Sequence, residues 1–198
     1  MFRDISISGY VLAIFVVGVA LKMYLESDAF NLKCIVSNVD GNKYCVRERA
    51  KLQLAADLLA KITQKLKKLT ASLGEKYPNR ENVKRLVENF NPRKVKEILP
   101  TSEYTAYSEN KGEKLAFCTT TTKTGDKLID ENTLMFVGIH EIAHVMTKSI
   151  GHNKEFWDNF KFMLEHAVEI KLYNPIDYKE KPKKYCGMQI TDNPFYDM

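Results

Sequence analysis

The four cysteines of this 198-residue chain, Cys34, Cys45, Cys118 and Cys186, show neither Cys-x-x-Cys spacing nor any pairing with histidines, which excludes a structural zinc finger. There is no internal repeat and no low-complexity segment beyond the four threonines at positions 119–122, so repeat architectures are excluded as well. Nor is there a large excess of charge of one sign, since 30 Lys and Arg against 25 Asp and Glu leave a formal charge of +5. With 44% hydrophobic and 28% charged residues, the composition is that of a globular protein rather than a disordered or fibrous one.

The charge is unevenly placed, because residues 46–97 carry fourteen Lys or Arg against six Asp or Glu. Such a block can face nucleic acid or an anionic lipid surface. It lacks the interleaved aromatics of a single-strand stacking platform, and is expected to be the solvated face of amphipathic helices, with nucleic-acid binding as the lesser reading.

Residues 5–21 carry no charge, and counted to Leu25 the run is about 20 residues, the length a bilayer core requires. An uncleaved membrane anchor is expected, single-pass and in a virion or host-cell membrane. A signal peptide cut near Gly18-Val19-Ala20 and a buried core helix are the rival readings. Orientation stays open, since Arg3 and the amino terminus compete with Lys22 and Lys33. The expected layout is an anchor at 1–26 and one domain at 27–198, made of a hairpin (32–47), a helical block (48–100), a catalytic core (101–172) and a carboxy-terminal extension (173–198).

Asp40-Gly41 between residues 32–36 and 43–47 is a hairpin signal. A plain turn there pairs Cys45 with Val36, so a Cys34–Cys45 disulfide requires a bulge. An even cysteine count behind a membrane segment permits two disulfides, the second being Cys118–Cys186, while buried reduced thiols are the alternative. Leu52, Ala55, Leu59, Ile62, Leu66, Leu69 and Leu73 form one helical stripe, so residues 48–75 are expected to be a helix that faces the core or a coiled-coil seam. Residues 82–89 and 92–99 are expected as two shorter helices, and 114–123 as a strand, with Tyr104 and Tyr107 on a partner strand.

Histidine is scarce, at four residues, and two of the four stand in His140-Glu141-Ile142-Ala143-His144. Asp130, Glu131, Asn132 and Thr133 offer N-caps for a helix over residues 134–148 that is apolar nearly all round. On a helix, positions four apart project from one face, so one zinc ion can bridge His140 and His144. Glu141, rotated by about 100°, reaches a water beside the ion without ligating it, which is the geometry of metal-assisted hydrolysis. Catalytic zinc takes three protein ligands and keeps one position open. His152 is the expected third ligand, brought back by a turn at Ser149-Ile150-Gly151, with Glu165, Glu169 and His166 as rivals. The alternative for both helix histidines is a core role satisfied by hydrogen bonds.

His-Glu-Ile-Ala-His followed by Gly151-His152-Asn153-Lys154-Glu155-Phe156-Trp157 resembles the WLM and SprT-like zinc metallopeptidases. The resemblance is confined to about 40 residues, and the anchor and the Cys34 to Cys45 hairpin are not features of that group. With those features and the closing Tyr185-Cys186-Gly187-Met188, the chain looks more like anchored peptidases of large DNA viruses. The resemblance implies zinc on His140, His144 and His152, Glu141 as general base, and Phe156 or Trp157 packing behind the site. It also implies an α+β fold, a minimal zincin with a small mixed sheet and an HExxH helix, whose edge strand, placed at residues 114–122, binds a polypeptide substrate as an added strand. A catalytically inactive anchored protein of the same fold and a nucleic-acid-associated protease are the alternative functions.

Overall fold

A computed structural model describes residues 7–25 and 32–197. The expected roles of Arg3, Asp4 and Ile5 and of the stalk at 26–31 lie outside the described residues. The first helix, α1 (Ile7–Leu25), is apolar on every side; its first eighteen residues have a mean hydropathy of 1.9 and none is buried. At 1.5 Å per residue it is about 28 Å long, close to the roughly 30 Å of a bilayer core. By length and composition it can cross a membrane.

Strands β1 (Leu32–Val36) and β2 (Lys43–Arg47) form an antiparallel hairpin in which Cys34 lies directly opposite Cys45 and Val36 opposite Lys43. This corrects the expected Val36–Cys45 register, and no bulge is needed. The loop is wider than a two-residue turn because it is pinned from outside: Asp57 accepts hydrogen bonds from Ser37 Oγ (2.7 Å) and Asn38 N (2.8 Å), and Ser37 N donates to Asn42 O. Both cysteine pairs are disulfides, Cys34–Cys45 with Cα atoms 3.9 Å apart and Cys118–Cys186 with 5.8 Å, so the reduced-thiol alternative is also corrected.

The long helix α2 (Leu52–Lys76) buries Ala55, Leu59, Ile62, Leu66, Leu69 and Leu73, so its stripe faces the core and is not a coiled-coil seam. It is followed by α3 (Glu81–Asn89). Residues 92–99 depart from the expected helix. Pro92–Lys94 is a single 3-10 turn capped by Asn91, and Val95–Glu97 is strand β3. Long-range pairing overrides local propensity here: Val95 and Glu97 are buried against a parallel neighbour, and the Glu97 carboxylate accepts from Arg47 Nε (2.8 Å) and Arg49 Nη2 (2.6 Å).

Strands β4 (Ala106–Glu109) and β5 (Lys114–Phe117) complete a three-stranded sheet of order β3-β5-β4, parallel on one side and antiparallel on the other. The small mixed sheet is therefore present, but the segment expected at its edge is central. Leu115, Ala116 and Phe117 are fully buried, and β3 and β4 are the outer strands. The strand also ends at Phe117 rather than near residue 123, with Thr120 making only an isolated bridge to Leu128. Tyr107 lies on the partner strand, whereas Tyr104 precedes it.

Helix α4 (Glu131–Met146) begins where Asp130 accepts from Thr133 N (2.9 Å) and from Thr133 Oγ1 (2.8 Å). It crosses α2 at Gly138, where a Cβ would stand 3.2 to 3.3 Å from Leu66 and Ile62. Helix α5 (Lys154–Glu169) packs against α4 through Phe156, Phe160 and Met163. The segment expected as an extension belongs to the core. Tyr173, Tyr178 and Tyr185 are buried, the Tyr178 ring lies 4.9 Å from Phe136, and a second hairpin, β6 (Lys183–Tyr185) and β7 (Met188–Ile190), precedes a 3-10 turn at Pro194–Tyr196. The described residues form an α+β protein with small sheets and an apolar amino-terminal helix.

Candidate metal centre

His140 and His144 leave α4 one turn apart, and the loop of residues 147–153 brings His152 to meet them. His152 Nε2 lies 3.1 Å from His144 Nε2 and 3.1 Å from His140 Nε2. A neutral imidazole has one N–H, so a nitrogen facing two others cannot hydrogen bond to both as donor. Tetrahedral ligation at about 2.0 to 2.1 Å sets ligand nitrogens about 3.3 Å apart, close to the spacing found, so the three side chains fit a zinc-sized cation.

Protonation favours the same role. Burial, with the neighbouring histidines adding to it, lowers His140 from 6.5 to about 3, and burial, then His152 and Lys111, lowers His144 to about 4. Both are neutral at pH 7, with lone pairs available. His152 is exposed, so the cluster opens to solvent on one side. Glu141 is 5% exposed, and burial alone raises its carboxyl from 4.5 to about 8. A cation beside it would pull that value down again.

The supports of the cluster come from four directions. Phe156 is buried behind it, its ring centroid 4.3 Å from His144, 4.9 Å from His140 and 4.7 Å from His152. The Trp157 indole N–H donates to His152 O at 3.0 Å. Glu155 accepts from Lys148 N (2.9 Å), Ser149 N (3.2 Å) and Ser149 Oγ (2.6 Å), while the Asn153 side chain caps α5 and donates to Ser149 Oγ. At the carboxy-terminal end of α4, Lys111 Nζ donates to Thr147 O (3.0 Å) and Ser149 O (2.7 Å), and Arg85 donates to Met146 O (2.6 Å). Two cations thus serve the negative end of the helix and the loop that follows it.

The rival ligands stand elsewhere. Glu169 pairs with Lys76, and His166 is a buried bridge between α2 and α5, 2.8 Å from Ser72 Oγ and 3.1 Å from Glu169. Glu165 is exposed on α5, and none of the three joins the histidine cluster. Lys111 and Arg85 were not singled out from the sequence, and Glu155 and Tyr185 stood there only within quoted motifs, without a role. The only local signal was the Asn110-Lys111-Gly112 turn, and what that turn would meet is not encoded nearby.

Beside His140 and Glu141 lies a cavity of about 270 Å³, whose walls come from α4, α5, β4 and the β6–β7 hairpin. The Tyr185 hydroxyl, behind that wall, donates to Thr105 O (3.0 Å) and accepts from Cys118 N (3.1 Å).

Fold and site together define a class: an α+β domain in which one helix and the loop after it gather three histidines beside a buried glutamate. The chain is 30% identical over 190 residues to the uncharacterized protein R325 of Acanthamoeba polyphaga mimivirus, a match covering 92% of this chain and 94% of that protein, and it belongs to the same family. Shorter matches link it to the uncharacterized protein 136R of Invertebrate iridescent virus 6 (39% over 74 residues, 37% of this chain and 40% of the relative). The uncharacterized protein 042R of Invertebrate iridescent virus 3 is 35% identical over 85 residues, 42% of this chain and 50% of the relative. No protein-family model matches the chain, and no solved structure matches it.

Proposed function

We propose that this protein is a membrane-anchored, zinc-dependent peptidase of minimal zincin type. The observation that carries the reading is the convergence of His140, His144 and His152, with Nε2 spacings of 3.1 Å, beside the buried carboxyl of Glu141 at a cavity mouth. Metal, base and substrate pocket are the three parts that metal-assisted hydrolysis requires. A zinc ion held there would supply a Lewis acid for the scissile carbonyl and would acidify a water. The three imidazoles would hold the ion, and the loop fixed by Glu155 and Trp157 keeps the third in place. Glu141 takes the proton of the attacking water and delivers it to the leaving amine, a general-base role that the neighbouring cation favours by returning the buried carboxyl to its ionised form. The strand beside the site is β4, and it replaces residues 114–122 as the edge along which a polypeptide would lie. The length and apolarity of α1 support the anchor.

The test is metal analysis and cleavage of denatured casein with purified protein. Wild type binds one zinc and cleaves; Glu141→Gln keeps the zinc and loses turnover by about 100-fold or more. Wild type that takes up no zinc, or a Glu141→Gln protein that cleaves as well as wild type, overturns the reading.

A further inference from the structure

The cavity beside Glu141 says more about the substrate than the histidines do. Its volume of about 270 Å³ falls just under the range of about 300 to 1,000 Å³ that holds a whole small ligand, so it suits a single side chain. The floor and walls are Phe136, Val137, Phe160, Tyr185, Ile190 and Pro194, all buried except half-buried Ile190. Trp157 and Met188 stand at the mouth, 43% and 47% exposed. Apart from Glu141, one lining residue carries a full charge, Asp192. It is already engaged, by Lys179 at 3.1 Å and by Asn193 N at 2.9 Å. A basic side chain entering the apolar cavity would lose its water and compete with Lys179 for Asp192, and an acidic one would meet Glu141 and Asp192.

The wall is fixed before any substrate arrives. Cys186, in the β6–β7 turn, is bonded to Cys118; Cys186 N and Gly187 N donate to Thr120 O and Thr121 O at 2.9 Å each; and the Tyr185 hydroxyl ties the hairpin to Thr105 beside β4. A rigid apolar pocket selects by shape and desolvation rather than by adapting to its occupant.

We infer that this cavity takes a leucine, phenylalanine or methionine side chain next to the scissile bond, so that the substrates are polypeptides cut beside a bulky apolar residue. The inference rests on the peptidase reading for the place of the bond, and on the cavity alone for the side chain. Val137 is the selectivity residue to change, since it lies one turn before Glu141 on α4 and a larger group there fills the cavity.

The experiment measures calorimetric binding of glycine, leucine, phenylalanine, aspartate and lysine hydroxamates to the zinc-loaded full chain. Leucine and phenylalanine hydroxamates should bind about tenfold or more tighter than the other three. Val137→Phe should abolish that preference at unchanged zinc content, and Ile190→Lys should shift it toward aspartate, which keeps the test open if one variant fails to fold. Equal affinities across the series overturn this inference and leave the metal site standing. Failure to load zinc sinks the peptidase reading instead, and the cavity is then judged on metal-free protein through Trp157, the chain's one tryptophan. Fluorescence that responds to N-acetyl-leucinamide and not to N-acetyl-glycinamide supports the apolar pocket, and no response to either overturns it.

Discussion

The loop of residues 147–153 has no regular structure to hold it, and the side chain that closes it is Glu155, whose oxygens accept from Lys148 N, Ser149 N and Ser149 Oγ. Those bonds hold its carboxyl down at about 2, the Ser149 hydroxyl contributing most, so the clamp is charged and closed at any pH above the ordinary glutamate range. If the three histidines hold zinc as proposed, Glu155→Gln keeps all three but loses acceptor capacity, and zinc affinity should fall about 10- to 100-fold, as when other outer supports of metal ligands are changed. His152→Ala, which removes a ligand outright, should fall further; competition with a chromogenic chelator separates the two, and equal loss would refute the positioning role of Glu155. The same residues set a pH signature for the metal-free protein. His140 and His144 have folded pKa values near 3 and 4, below 6.5, so the unfolded chain binds more protons and stability is lost as pH falls below about 6.5. Glu141 has the opposite sign: its folded value near 8 exceeds 4.5, so the folded chain binds more protons and its contribution is lost as pH rises from about 4.5 through 8. Two histidines outweigh one glutamate below 6.5, and above it only the glutamate acts, so the melting temperature of metal-free protein should peak near pH 6 to 7. Glu141→Gln should flatten the alkaline side of that peak; thermal melts from pH 4 to 9 read both arms, and an unchanged alkaline side would refute the assignment.

At the scale of elements, the centre is held by pieces that meet from far apart in the chain, and Gly112 is where three of them touch. It lies in the β4–β5 turn with φ +110°, and a Cβ there would stand 2.8 Å from Asn89 O at the end of α3 and 2.8 Å from Val145 of α4. Neither the backbone carbonyl nor a buried valine can withdraw cheaply, and the φ itself favours glycine. Gly112→Ala should cost about 1 to 3 kcal/mol or more in urea unfolding, and because Lys111 is the next residue, zinc affinity should drop with it. A variant as stable as wild type would show that the turn moves freely. This junction also marks what could be read without coordinates. The helices α2 and α4 were legible because the apolar pattern and the cap at Asp130 are local signals, and the histidines because i,i+4 spacing needs only a helix. Residues 92–99 were misread because the partners that make β3 a strand are Leu115 to Phe117 and Arg47, far away in sequence. The hairpin register was misread because Asp57 on another element pins its loop. The packing of the carboxy-terminal segment was invisible for a related reason: Tyr173 and Tyr178 follow no period, and they are buried against Phe136, far away in sequence.

For the whole molecule, the question is how an exposed apolar helix coexists with a charged domain. Val11, Leu12, Ile14, Phe15 and Val17 are each more than 60% exposed, a contiguous apolar surface that a soluble protein does not carry without a partner. The domain has no such need: its core is closed by α2, α4, α5 and the β6–β7 hairpin, and α1 buries none of it. The basic block is partly engaged within the domain as well, since Lys65 and Lys61 reach Glu131 at 2.6 and 3.8 Å, which leaves less of it for an outside anion. A fragment of residues 32–198 should therefore be soluble, keep the two disulfides, bind one zinc, and melt within a few degrees of the full chain in detergent. The full chain should sediment with membranes and resist extraction at alkaline pH, which a peripheral protein does not. An insoluble or unfolded fragment would make α1 part of the core, and a mature protein whose first residue lies near Leu21 would make it a leader. Either outcome removes the anchor while leaving the histidine cluster, which depends on nothing before Leu32, open to the same metal and cleavage assays.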